Sequence, residues 1–402
     1  MQNKVNNIND IVFSLEQSLF ESNWKGWDPY DGLNSKALKL FPFINKNDAF
    51  RIAWIQLFKH SPINLRRLLQ VEKGINPKGL GLILSSYCNI IEALRSDCDL
   101  EGKFNEELLI TRGAEVVDLL DELRSPGFDC YCWGYNFSWQ SRAFYLPVYT
   151  PTVVATSFVT SALTSFYKLT GNNKAKSMAI STADFVTKHL NPINSNGGIG
   201  FSYSPIDNRM VYNASLLGTS ILSNVYSLTE DPDLKDKAYD SVKAVIYAIN
   251  NDGSITHSEQ VGSNWRDNFH TGFKLESLML FRKIFGEKKY DKKIQRAIKY
   301  WEDNFFEGGI CKYYDNSKYP LDIHCPSQFF ATKNSISDDF VTTIDENEVM
   351  EFMLNCFYNG DYFIFQRKKY YSISINYFRW GQAWALYGLT NYLKGTASDQ
   401  QA

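Results

Sequence analysis

Two kinds of helix alternate along the chain from residue 105 onward. In segments such as 174–190 and 233–249, apolar residues recur near i, i+3, i+4 and i+7 while charges occupy the opposite face. Between them lie segments that are apolar nearly all round and rich in small residues; these begin at Pro151, Tyr212, Phe269, Ile323 and Phe378. A helix with a charged face must meet water, whereas one that is apolar all round must be buried on several sides.

The starts of the buried helices follow a repeat of 61, 57, 54 and 55 residues. Even alternation of buried and half-buried helices predicts an all-α fold, a closed (α/α) toroid with an inner and an outer ring. We expect twelve to fourteen helices, and so six or seven hairpins. An open solenoid is the rival, although its repeats are usually shorter, about 33 to 47 residues.

The connections that lead into the buried helices resemble one another. Each begins near a glycine, continues with alternating aromatic or β-branched residues and ends at a polar residue; they span 197–213, 252–270, 308–324 and 360–379. This pattern predicts short two-stranded excursions. Because each joins an outer helix's end to an inner helix's beginning, all should lie at one end of the ring, which we call the mouth.

The N-terminal quarter is less regular. Helices are predicted at 8–21, 48–59, 62–73, 79–95 and 105–124, with turn-rich connections at 26–34 and 127–150. Since no Pro/Gly/Ser linker interrupts the chain, we expect one domain over 1–402, with repeats clearest over 105–395 and a polar tail at 396–402.

Several segments of the connections carry a resemblance to known proteins; they read GWDPYDGLN (26–34), YCWGYNFSWQSRAFYLPVYTPTVVATSF (131–158), SYSPIDNRMVYNASLLG (202–218), NWRDNFHTGF (264–273) and YPLDIHCPSQ (319–328). With the repeat, the chain resembles the six-hairpin (α/α) toroid superfamily over about 25–395. That group includes glycosidases, polysaccharide lyases, 2-epimerases of acylated glucosamine and glucuronyl C5-epimerases. The segments themselves resemble a bacterial family encoded among polysaccharide-biosynthesis genes, which implies a role in surface-glycan metabolism.

Composition narrows the function further. A net charge of −2 excludes a general electrostatic attraction to nucleic acid. No apolar run of about 18 residues and no secretory signal are present, which predicts a cytoplasmic protein without a membrane span. Aromatic residues make up 15% of the chain, and Tyr and Trp suit sugar-binding clefts. The pair Cys130 and Cys132 has neither CxxC nor zinc-knuckle spacing, so we predict no metal and no cofactor.

Polar and aromatic residues crowd the connections at the mouth. His270 and His324 hold the same place in successive repeats, each just after an aspartate, so Asp267, His270, Asp322 and His324 are the candidate catalytic residues. The candidate substrate-binding residues are Trp27, Asp31, Trp133, Tyr135, Trp139, Gln140, Arg142, Asp207, Tyr212, Trp265, Arg266, Tyr319, Arg379 and Trp380. Mouth arginines suit a carboxylate, which favours an acidic oligo- or polysaccharide as the substrate.

Three functions remain open at this point. A glycoside hydrolase, our first choice, would use mouth aspartates as acid and base. A lyase or C5-epimerase acting on a uronic acid would use a His or Tyr base and an arginine that neutralises the carboxylate. A glycan-binding protein without activity is the third, because an aspartate just before a helix is also a common N-cap.

Overall fold

The computed structural model describes residues 2–40, 46–96, 102–142, 144–260 and 262–399. In chain order its helices are α1 (Gln2–Glu21), α2 (Lys36–Lys39), α3 (Asp48–His60), α4 (Leu65–Leu68), α5 (Pro77–Ser96), α6 (Glu106–Glu122), α7 (Val153–Thr170), α8 (Asn173–Asp184), α9 (Tyr212–Thr229), α10 (Pro232–Ile246), α11 (Asn268–Phe285), α12 (Asp291–Phe305), α13 (His324–Ser335), α14 (Glu346–Phe357) and α15 (Trp384–Asp399). The last residues of the polar tail, 400–402, lie outside the described residues.

Twelve of these helices form two concentric rings. Helices α5, α7, α9, α11, α13 and α15 each pack on the next, and α15 packs back on α5, so the inner ring closes. Helices α6, α8, α10, α12 and α14 each pack outside an inner neighbour, and α1 packs outside α15. The predicted closed toroid is confirmed, with six hairpins.

Small residues allow the inner helices to approach closely. A Cβ atom on Gly388 of α15 would stand 2.6 Å from the Cα atom of Ser327 on α13. A Cβ atom on Gly81 of α5 would stand 3.2 Å from the backbone of Phe158 on α7. Side chains at these two crossings would push the helices apart, so the small residues that marked the inner helices in the sequence are a packing requirement.

Short antiparallel strands occupy most of the mouth connections. They are β1 (Trp139–Gln140) with β2 (Tyr145–Leu146), β3 (Pro192–Ser195) with β4 (Gly198–Phe201), β5 (Phe306–Glu307) with β6 (Ile310–Cys311), and the three-stranded set β7 (Leu321–Asp322), β8 (Gln366–Arg367) and β9 (Ser372–Ile373). The predicted excursions are therefore confirmed in these connections.

Two predicted elements differ from the structure. The described part of the connection before α11 forms no strand pair of its own, because it pairs with its neighbours instead, through bridges of Ser258 to Val211 and of Asp267 to Tyr314. The helix predicted at 62–73 shrinks to α4, since the chain turns at Gln70, whose φ is +55°. None of the described helices is long and apolar enough to span a membrane.

Candidate functional site

Inner helices bring a small set of polar side chains to the axis of the ring. We call Lys78 of α5, His324 and Gln328 of α13, and Trp384 of α15 the axial cluster. All four side chains are buried, with exposed fractions of at most 3%. Both ring nitrogens of His324, Oε1 of Gln328 and Nε1 of Trp384 have no hydrogen-bond partner among the described residues. Buried polar atoms without partners are rare in proteins, so the four such atoms in this cluster make the axis a candidate ligand-binding region.

His324 is held by rings rather than by hydrogen bonds. Its ring centroid lies 3.9 Å from that of Trp384 and 4.3 Å from that of Phe269, which is stacked on it. Burial, with further contributions from Lys78 and His270, lowers the pKa of His324 well below its ordinary value. The imidazole is therefore neutral near pH 7 and can both donate and accept a proton.

Lys78 projects its ammonium group into an aromatic cage. Its Nζ atom lies 4.1 Å from the centroid of the Phe158 ring, 5.0 Å from that of Phe273 and 5.2 Å from that of Trp384. No acceptor atom among the described residues bonds to it, and burial lowers its pKa well below the ordinary lysine value. The ring faces offset part of the cost of burying this charge.

A carboxyl group lies close to the axial cluster. Glu276 of α11 accepts hydrogen bonds from the amide of Gln328 and from Oγ1 of Thr332, the latter at 2.8 Å. Burial raises the pKa of Glu276 to about 7, although these donors and Lys78 oppose that rise. Near neutral pH this group can therefore hold or release a proton.

His270 and Asp267 form a dyad at the start of α11. One Asp267 oxygen caps the helix by accepting the His270 N–H at 2.8 Å, and the other lies 2.7 Å from His270 Nδ1. Since a carboxylate accepts, Nδ1 is the donor in this contact, and Nε2 is the nitrogen left to meet a ligand. The His270 side chain is 23% exposed and that of Asp267 only 1%. A buried carboxylate thus orients a partly exposed imidazole, the arrangement of a general base.

The two predicted histidines lie on either side of one phenylalanine. The ring centroid of Phe269 is 4.2 Å from that of His270 and 4.3 Å from that of His324. On its outer side His270 faces His257, at 5.3 Å, and the exposed Trp265, at 5.8 Å. The structure therefore brings His270 and His324 together, as their repeat phase predicted.

Asp322 is buried beside the dyad. Its carboxylate accepts hydrogen bonds from Trp380 Nε1 at 3.0 Å, from the His324 backbone N–H at 3.0 Å and from the Gln366 side chain. Burial raises its pKa despite these donors. Asp322 is fully buried, so it supports the indole of Trp380 and the start of α13.

The mouth arginines are paired with carboxylates. Arg379, 3% exposed, donates to both oxygens of Asp28, at 2.7 and 2.9 Å. Arg66 donates to Asp31 at 2.6 Å and to Tyr377 at 2.9 Å. Arg266 donates to Asp315 at 3.0 Å. These contacts tie the N-terminal connection to the last inner helix and leave the charges of Arg379 and Arg266 neutralised.

Most of the other predicted binding residues pack into the walls. Trp133 is fully buried and donates to Leu120 O, Trp27 donates to Val71 O, and Gln140 accepts from Arg51. Asp207 pairs with Arg209. The remaining predicted positions differ in exposure. Tyr135 and Tyr212 are buried, Trp139 is half-buried, and Arg142, Trp265 and Tyr319 are exposed. A cavity of about 10 Å³ beside Asp28 and Arg379 has room for one water at most.

Sequence reasoning missed three of the residues at this site. Lys78 and Glu276 lie on inner helices and not in the mouth connections. The third is Lys59 of α3, whose Nζ atom lies 4.8 Å from the centroid of the Tyr30 ring. A charged residue in an otherwise apolar inner helix was the available signal for Lys78 and Glu276. Lys59 gave no signal, because α3 lies outside the repeat.

No protein-family model and no curated protein sequence matches the chain. Solved structures do match. A GH76 α-mannanase from Bacteroides thetaiotaomicron aligns at 12% identity over 80% of this chain and 87% of that one, with a TM-score of 0.60. Cellobiose 2-epimerase from Bacillus thermoamylovorans aligns at 12% identity over 82% and 90%, with a TM-score of 0.59. This chain has the six-hairpin (α/α) toroid fold.

A third match carries chemical information about its own site. It is an inactive variant of an α-1,6-mannanase from Salegentibacter, with two consecutive aspartates changed to asparagine, in complex with α-1,6-mannotriose. It aligns at 12% identity over 81% of this toroid and 90% of that chain, with a TM-score of 0.52. At such identities the likeness establishes the fold, and the function must be argued from the site.

Proposed function

We propose that this toroid is a carbohydrate-active enzyme of the epimerase or isomerase class, which moves a proton at a sugar carbon next to a carbonyl group. The observation that carries the proposal is the His270–Asp267 dyad, in which a buried carboxylate orients an imidazole whose side chain is 23% exposed at the mouth. The sugar would reach from this dyad toward the axial cluster, whose unpaired polar atoms suit hydroxyl groups.

The chemistry needs a base with a pKa near neutrality and a group that returns the proton. The imidazole of His270, oriented by Asp267, is placed to act as the base, and positioned bases of this kind contribute about 10²–10⁴-fold in rate. His324, on the other side of Phe269, is a second neutral imidazole within the same region. Removing a proton next to a carbonyl leaves charge on oxygen. Lys59, whose pKa is raised, is a cationic group at the mouth that can stabilise it, and the amine of Lys78 can donate a hydrogen bond to it from the axis.

Hydrolysis is the second candidate. It needs two carboxyl groups with separate roles. Asp322 favours it, because burial raises its pKa as a general acid requires. The partner carboxylate is harder to assign, since Asp28 and Asp31 are held in ion pairs and Asp267 is engaged by His270.

The mannanase match sharpens this ranking. Consecutive aspartates occur once in this chain, at Asp338 and Asp339. They lie in the connection from α13 to α14, at the end of the ring opposite the mouth, where Asp339 pairs with Arg282. The His270–Asp267 dyad therefore supports epimerase chemistry better than the aspartates support hydrolysis.

Two of the three mouth arginines are paired, which favours a neutral saccharide over the acidic one expected from sequence. Arg379 bonds both oxygens of Asp28 and Arg266 bonds Asp315, whereas Arg142 is exposed. The exposed face of Trp265, 40% accessible beside His270, suits the C–H face of a sugar ring.

The test is solvent exchange. Neutral aldoses and disaccharides, mannose- and glucose-based, are incubated with the protein in D₂O and followed by NMR. The proposal predicts deuterium at the carbon next to the carbonyl and its loss in His270→Ala, with His60→Ala as the matched control on exposed α3. New reducing ends without deuterium would establish hydrolysis instead, and neither change with any saccharide would refute both candidates.

A further inference from the structure

A cluster outside the mouth has the donor atoms of a metal site. Asp129 and Cys130 belong to the long connection between α6 and α7, and His189 ends the π-helical turn Phe185–His189 that follows α8. One carboxylate oxygen of Asp129, the Cys130 sulfur and one ring nitrogen of His189 all lie within 4.8 Å of one another. The proposed saccharide chemistry uses none of these three residues.

We propose that Asp129, Cys130 and His189 bind a zinc ion. Sulfur, imidazole nitrogen and carboxylate oxygen are the three ligand types that Zn²⁺ takes, at about 2.3, 2.0–2.1 and 2.0–2.2 Å. Donors that surround one ion at those distances are separated by about 3 to 4 Å, so small side-chain movements suffice. On binding, the Cys130 thiol gives up its proton to solvent and His189 gives the lone pair of a neutral ring nitrogen.

The cluster is already held in place by its surroundings. His189 Nε2 lies 2.8 Å from Asp129 Oδ1, and the Phe128 ring meets the imidazole edge-on, with centroids 5.1 Å apart. Behind it, the Tyr131 backbone N–H donates to Ser181 of α8 at 3.0 Å. The backbone after the cysteine is therefore tied to α8, and the Asp129 side chain before it to His189, before any ion binds, which lowers the cost of ordering the ligands.

Exposure gives the ion a route in and a place for a fourth ligand. The Cys130 residue is 3% exposed, whereas the His189 and Asp129 side chains are 28% and 74% exposed. An ion can thus enter from the Asp129 side and keep a water there, with the sulfur beneath it. Cys132 is buried beside Cys130.

The expected role of the ion is structural. It would join residues 60 positions apart in the chain, so that the long connection that carries Trp133 and Tyr135 is fixed to the outer ring. Closing so large a loop in the unfolded chain is unfavourable, so a bound ion should raise the unfolding temperature.

The experiment uses tag-free, full-length protein stripped with a chelator and dialysed. Co²⁺ is the spectroscopic probe, since a cobalt–thiolate bond gives a charge-transfer band in the near ultraviolet. We expect one equivalent to bind and the band to vanish in Cys130→Ser while persisting in Cys356→Ser, the matched control on α14. Absence of the band in the parent protein, or its persistence in Cys130→Ser, would overturn the proposal.

Zinc affinity gives an independent readout with exposed residues whose replacement leaves the core intact. By calorimetry, Asp129→Asn and His189→Ala should each weaken Zn²⁺ binding by at least about 100-fold, beyond the 10- to 100-fold typical of outer-shell changes. His60→Ala should bind as the parent does, and Zn²⁺ should raise the unfolding temperature of the parent by several degrees. Equal affinity in all three variants would place the ion elsewhere and refute the assignment.

Discussion

The axial cluster and the ion pairs at the mouth, which we call the rim, both bury polar side chains, but they differ in the neighbours that those side chains have. At the rim, Arg379 meets Asp28 through two hydrogen bonds, and Arg66 meets Asp31. At the axis, Lys78 and His324 are also buried and lie against aromatic rings, and neither ring nitrogen of His324 has a hydrogen-bond partner among the described residues. Paired burial is what a structural joint needs, whereas unpaired burial costs stability. That cost is offset if the unpaired polar atoms of the axial cluster meet a ligand.

The largest effect is expected at the dyad, where axis and rim meet. His270→Ala should lower turnover by about 10²–10⁴-fold because the base is lost. Its unfolding temperature should stay within a few degrees of the parent value, since the side chain is partly exposed. Asp267→Asn keeps an N-cap residue and should lose activity in the same way, through a misoriented imidazole. Steady-state kinetics and thermal unfolding measure both, and equal loss of fold and activity would remove the catalytic role.

At the rim, removing one partner should be severe. Arg379→Ala leaves the Asp28 carboxylate buried and unpaired, which costs about 3–5 kcal/mol of unfolding free energy. The double variant Asp28→Asn with Arg379→Met should recover most of that loss, because no charge is left buried. Denaturant unfolding of the two variants gives the comparison. A single variant as stable as the parent would mean that the pair is not a structural joint.

Two buried lysines give the clearest comparison between a buried group that has hydrogen-bond partners and one that lies against aromatic rings. Lys274 of α11 donates to the carbonyl oxygens of Ile255, at 3.0 Å, and Thr256, at 3.4 Å, while Lys78 has only ring faces. Lys78→Met should therefore raise the unfolding free energy by about 1–3 kcal/mol at pH 7, as an apolar chain suits the aromatic cage.

The matched substitution should act in the opposite direction. Lys274→Met leaves two carbonyl groups without their donor and should cost about 1–3 kcal/mol. Activity should fall in Lys78→Met despite its greater stability. Parallel urea titrations decide the matter, and two changes of the same sign would show that axis and rim do not differ.

The smallest effect depends on pH. Burial raises the pKa of Glu276 to about 7, above the ordinary glutamate value of 4.5. Between these two values the unfolded chain releases a proton that the native chain keeps, so this group makes the protein less stable as the pH rises from 4.5 to 7. Glu276→Gln should remove that loss, so its unfolding free energy relative to that of the parent should increase by about 1–2 kcal/mol from pH 5 to pH 8. A pH-independent difference in unfolding free energy would argue against the shift.

The repeat could be predicted because it depends on local patterns. Alternating buried and amphipathic helices gave the two rings, and the small residues that allow Gly388 to meet Ser327 were visible as composition. The two histidines both contact Phe269 for the same reason, since equal repeat phase places each at the start of an inner helix.

What could not be predicted depends on pairs that are distant in sequence. Asp28 and Arg379 are separated by 351 positions, and neither residue type specifies its partner. The proposed zinc ligands could not be predicted for the same reason. Cys130 lacks a second cysteine at a familiar spacing, and His189 lies 59 positions later in the chain, in the π-helical turn after α8. The position of Lys78 could not be predicted either, because the rings that surround its ammonium group come from three other helices.

The most direct test of the account follows the histidine side chains during saccharide binding. With ¹⁵N-labelled histidine, the imidazole resonances of His270 and His324 are assigned through single variants and recorded during a titration with the saccharide that exchanges deuterium. The account predicts saturable shifts of both resonances, with those of His60 and His189 unchanged. Saturable binding that leaves His324 and His270 unmoved would contradict a saccharide site at the axis of the ring.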